Sequence, residues 1–86
     1  QVEADRQAAL AALRSAHQAV QVRSRAADQA VEASEVVEAR YSEGLATVTD
    51  VLQVRAQAVS AQAQLAAAEV DIHRAQVQLA WADGSL

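Results

Sequence analysis

Few side chains in this 86-residue sequence are of a type that makes or breaks bonds. His17 and His73, with Glu69 and Asp71 beside the second, are the metal-ligand types. The two histidines lie at similar distances from the only central glycine, yet they do not share equivalent helical positions. Neither has a second histidine one helical turn away, so the pattern of a ligand set is absent. Cysteine is missing, which excludes disulfides and thiolate metal sites. No glycine-rich phosphate loop occurs, and no Ser-His-Asp set has a scaffold that would assemble it. The expectation is a non-enzyme without metal or cofactor.

The polar residues that do cluster stand around Gly44, in the segment from Arg40 to Ala56 that reads RYSEGLATVTDVLQVRA. Arg40, Tyr41 and Asp50 supply a cation, a phenol and a carboxylate within eleven positions. Their chemistry is recognition, by ion pairing and hydrogen bonding. What matters is therefore the element that holds them.

That element is a break between two long arms. Arm one runs from about residue 2 to 43 and arm two from about 47 to 83. Both are rich in Ala, Gln, Glu, Arg and Leu, all good helix formers, and the chain has no proline. At 1.5 Å per residue each arm would reach roughly 55–65 Å. The reading is all-α: a long antiparallel two-helix coiled-coil hairpin with its turn near residues 44–46.

The turn chemistry supports this. Gly44 suits the left-handed position just past a helix end. Thr47 and Asp50 fit a capping box, and Ala46 and Val51 stand at the flanking staple positions. Asp50 also suits the positive end of the following helix dipole. Arg40 suits the negative end of the preceding one.

Arm two carries a seven-residue period. Val51, Ala58, Leu65, Ile72 and Leu79 form one row; Val54, Ala61, Ala68, Ala75 and Ala82 form another three residues on. Together they make a coiled-coil seam. A second apolar stripe, Leu52, Val59, Ala66 and Ala80 beside Ala56, Ala63, Val70 and Val77, lies more than 90° away. Two seams need two neighbours, so self-association is expected, as a four-helix arrangement for the chain alone. In arm one, Leu13, Val20, Ala27, Ser34 and Tyr41 form one row and Ala12, Ala19, Ala26 and Ala33 an adjacent one. Tyr41 reads as a ring closing the end of the seam, and Trp81 as a large apolar cap on its other end.

Composition narrows the class further. The sequence holds 23 alanines and no Phe or Met, with a formal charge of −4 and arginine as its only strong cation. Acidic and basic residues alternate, so there is no basic patch for nucleic acid. No apolar run reaches the roughly 18 residues of a spanning helix. Alanine buries little area per residue, at about 25 cal/mol per Å², which argues against a self-sufficient globule. With Gln1 as first residue, the expectation is a piece of a larger protein.

Arg40, Tyr41, Gly44, Leu45, Asp50, Val51 and Leu52 spell R-Y-x-x-G-L-x-x-x-x-D-V-L. Ala61, Leu65, Ala68, Ala75 and Leu79 continue as A-x-x-x-L-x-x-A, and Trp81 to Leu86 end in small residues and Gly-x-Leu. In these features the sequence resembles the TolC-like outer-membrane efflux proteins, the exit ducts of Gram-negative tripartite pumps and type I secretion systems. The resemblance implies one hairpin of a trimeric protein whose helices build a twelve-helix periplasmic tunnel. It implies a tip, Gly44, Leu45 and Thr49, that docks a periplasmic adaptor protein. It also implies a gating network at the tunnel mouth that includes Arg40, Tyr41 and Asp50. Ala46 and Gln53 depart from members with Arg and a second Asp at those points. The alternatives are the hairpin of a periplasmic adaptor and a generic structural coiled coil. Adaptor tips resemble R-x-x-x-L-x-x-x-x-x-x-S, and here Gly44 and Val51 stand where the Leu and Ser would be.

Overall fold

The structure, a computed structural model, describes residues 2–84. Ser85 and Leu86, the end of the Gly-x-Leu pattern, lie outside the described residues. Two helices account for nearly everything else: α1 (Val2–Ser42) and α2 (Val48–Ala82). They fold back on each other as the expected hairpin. At about 1.5 Å per residue, the 41 residues of α1 span roughly 61 Å. The molecule measures 63 × 16 × 14 Å, so the length of one helix is the length of the whole. Its radius of gyration is 19.0 Å, against about 12 Å for a compact domain of this size.

The seam of α2 follows its heptads. Val51, Ala58, Ala68 and Ala75 are buried, and Val54, Ala61, Leu65, Ile72, Leu79 and Ala82 are half-buried. Alanine at so many of these positions leaves little bulk between the helices, which accounts for the thin cross-section.

α1 departs from the expectation in one respect. The row Leu13, Val20, Ala27 and Ser34 does face α2, with Ala27 4% exposed. Its companion in the seam is Ala9, Ala16, Ala30 and Val37, while Ala12, Ala19, Ala26 and Ala33 are exposed. The reason is the four-then-three step of a coiled coil, Ala9–Leu13–Ala16–Val20, which carries the contact to the other side of the Leu13 row. Arg23 interrupts that companion row and disguises it in the sequence. It stays exposed, and its Nη1 donates to Gln64 Oε1 at 2.8 Å across the helices.

Trp81 also departs. It is 66% exposed and borders a groove with Asp5, Ala8, Ala9, Gln78 and Ala82 instead of capping the seam. It lies two residues past Leu79, off both seam rows. Below it α2 ends at Asp83, whose N–H donates to Leu79 O at 2.9 Å, with Gly84 at φ +75° beyond. Arg6 Nε donates to Asp83 Oδ1 at 3.0 Å and ties the open ends together.

Each helix keeps a second apolar face turned outward. On α2, Leu52, Val59, Val70 and Val77 are all at least half exposed. Among the described residues, no helix is long and apolar enough to cross a membrane.

Candidate functional site: the hairpin tip

Two interlocking caps build the turn. At the end of α1, Leu45 N–H donates to Arg40 O at 2.8 Å and Gly44 N–H to Tyr41 O at 3.0 Å. These are the two bonds of a Schellman motif, and they require a left-handed residue between them. Gly44 takes that place at φ +77°. At the start of α2, Thr47 Oγ1 accepts from Asp50 N–H at 3.1 Å while Thr47 N–H donates to Asp50 Oδ2 at 3.0 Å. This is a complete capping box. Ala46 is half-buried and Val51 buried, as the staple positions require. Cap bonds thus bracket the turn on both sides, although the segment is almost wholly solvent-facing.

The caps leave Leu45 outside. The hydrophobic residue after the glycine commonly folds back on the helix it follows, yet Leu45 is 72% exposed. A rigid turn therefore presents a bare leucine at the extreme end of the molecule. Thr49, in the first turn of α2, is exposed as well.

The polar tip residues divide between two grooves. Arg40, Leu45 and Asp50 share one with Val37, Ala46, Gln53 and Val54. Tyr41 borders the other, with Glu38, Val48, Val51, Leu52 and Arg55. Tyr41 is 46% exposed, so its ring covers the tip end of the seam only in part. Arg40 and Asp50 share a groove without an ion pair; the ion pairs among the described residues are Arg6–Asp83 and Arg55–Glu38. Asp50 is instead committed to Thr47. The Thr47 backbone N–H, and then its hydroxyl, hold the Asp50 carboxyl below its ordinary value of 3.8.

Sequence reading missed the link between Arg55 Nε and Glu38 Oε1, which bridges the helices beside Tyr41. The available signal was two opposite charges flanking the seam on facing helices, within three turns of the tip. His17 and His73 are both exposed, and no group of three or more metal-ligand side chains occurs among the described residues.

The geometry has no enclosed pocket around reactive groups. It offers a stiff rod, a presented leucine and two shallow grooves. Comparison with known proteins accords with that: the family profile described as "Outer membrane efflux protein" matches residues 2–85. No curated protein and no solved structure matches the chain. Since the profile covers nearly all of the sequence, the chain belongs to the outer membrane efflux protein family, whose members are transport channels.

Proposed function

We propose that this hairpin is a wall element of the periplasmic tunnel of an outer-membrane efflux or type I secretion duct, and that its turn is the tip that docks a periplasmic adaptor. The observation that carries the docking role is Leu45: an exposed apolar side chain on a turn stiffened by a Schellman motif and a capping box. An apolar side chain carried on a stiffened turn loses little backbone freedom on binding. Gly44 sets the turn, and Thr49 widens the presented surface.

Gating falls to the charged groove. Asp50 uses one carboxylate oxygen for Thr47, which leaves the other for a donor on a neighbouring hairpin across the tunnel mouth. Arg40, in the same groove and without an ion pair, is the cation that such a network would recruit. Tyr41 belongs to the other groove and would act between a different pair of helices. With Ala46 and Gln53 in place of charged residues, the remaining partners must come from outside this hairpin. The duct opens by realignment of helices and transports its cargo without chemistry. The chain would lie in the periplasmic portion of a trimeric outer-membrane protein.

The test uses the absence of native cysteine in this sequence. Leu45→Cys in the full-length protein, cross-linked in cells, should capture a hairpin-bearing adaptor anchored at the inner membrane. Capture of an outer-membrane channel would place this chain on the adaptor side and sink the proposal.

A further inference from the structure

At the end of the rod away from the turn, a groove of about 410 Å³ lies between the helices. Asp5, Ala8 and Ala9 border it on α1, and Gln78, Trp81 and Ala82 on α2. Its alanines leave a shallow apolar floor, and Trp81 stands over that floor 66% exposed. Tryptophan is highly buried on average, yet this ring takes no part in the seam. The groove continues along the same flank past Gln78, over Ala12, Ala16 and Ala19.

The groove beside Trp81 is negative. Asp5 takes part in no ion pair among the described residues, and the neighbouring cation, Arg6, is committed to Asp83. The last turn of α2 carries no basic residue, so the negative end of its dipole lies beside the groove without a cation of its own. Farther along the flank, Asp71 and Arg74 offset each other. The face of an indole ring is negative as well. A carboxylate, an indole and a helix C-terminus therefore surround one apolar floor.

We propose that this groove binds organic cations of the quaternary-ammonium type, with the charged head between Trp81 and Asp5 and the apolar body along the alanine floor. Such cations are weakly hydrated, and an indole face attracts them. An anion would meet the Asp5 carboxylate, and a neutral ligand would cover that carboxylate without pairing it. A metal ion fits poorly, because no group of three or more metal-ligand side chains occurs among the described residues. The groove is open to water on one side, so each contact contributes little and the affinity is modest. The site lies at the opposite end of the rod from Leu45, and it stands or falls apart from docking at the tip.

The experiment uses Trp81 as the reporter, since the chain has no other tryptophan. Benzyltrimethylammonium chloride is titrated into the full 86-residue chain at one protein concentration, and indole fluorescence is followed. Benzyl alcohol is the neutral comparison and sodium chloride the ionic one. A saturable change is expected with the ammonium probe alone. Asp5→Asn should raise the dissociation constant roughly two- to fivefold, the worth of one exposed charge contact. Ala8→Leu should block binding by filling the floor without changing the charge. Both positions are exposed, so both variants should keep the helical circular dichroism of the wild type. Quenching that rises without saturation, an equal response to benzyl alcohol, or undiminished binding in either variant would each overturn the proposal.

Discussion

Replacing Thr47 by alanine tests how the tip is held. Thr47 Oγ1 is the N-cap acceptor of the capping box; it takes the Asp50 N–H at 3.1 Å. Thr47→Ala gives that N–H back to water and leaves the reciprocal bond, Thr47 N–H to Asp50 Oδ2, in place. Losses of this kind cost about 1 kcal/mol. An unfolding entropy near 2.1 cal/mol/K per residue is about 180 cal/mol/K for 86 residues, so Tm should drop by roughly 5–6 °C. Thr47→Ser keeps the acceptor and should recover most of the loss. The assay is thermal unfolding followed by circular dichroism at one protein concentration, because association shifts Tm.

Acid titration of the same proteins separates the two halves of the box. The Asp50 carboxyl is held below its ordinary 3.8, first by the Thr47 N–H and then by its hydroxyl. A depressed folded-state value means that the contribution is complete above about 3.8 and fades as pH falls through the folded value. Thr47→Ala should keep most of that acid sensitivity, since the larger cause survives; Asp50→Asn should abolish this component. An alanine variant that melts within about 1 °C of wild type, or an Asp50→Asn variant with unchanged acid response, would refute the account of the tip.

Three further outcomes follow from other parts of the rod. Gly44→Ala should cost about 1–2 kcal/mol through its left-handed backbone alone, because nothing lies within 4 Å of the added Cβ; Gly44→Asn should cost less in the same melt. Ala16→Leu should destabilise the hairpin by about 1–3 kcal/mol by overfilling the seam, while Ala12→Leu, on the exposed face, should leave hairpin stability within about 0.5 kcal/mol of wild type. Equal effects at the two sites in chemical denaturation would contradict the assignment of the α1 seam. Glu38→Gln breaks the exposed pair with Arg55 and should cost no more than about 1 kcal/mol, with the difference shrinking as salt is added.

Much of the architecture was legible before any coordinates. The α2 seam could be read residue by residue, since Val51 to Ala82 keeps an unbroken heptad pattern. The capping box was equally plain, because a cap depends on side chains three residues apart. α1 was harder. Its two alanine rows have the same spacing, and Arg23 interrupts the one that is buried. Choosing between them needs the direction from which α2 approaches.

The tip shows the same division. Local sequence determined the turn itself, because Gly44, Thr47 and Asp50 satisfy their bonds within a few residues of one another. Family resemblance grouped Arg40, Tyr41 and Asp50, but sequence proximity could not say which of them meet. The packing of two antiparallel helices decided that, setting Tyr41 beside Glu38 and Arg55 on one flank and Arg40 with Leu45 and Asp50 on the other. Helix periodicity and caps are short-range physics, written in residues one to four positions apart. Which face is buried, and which side chains share a groove, depends on how the second helix rotates onto the first, and only the tertiary structure decides that rotation.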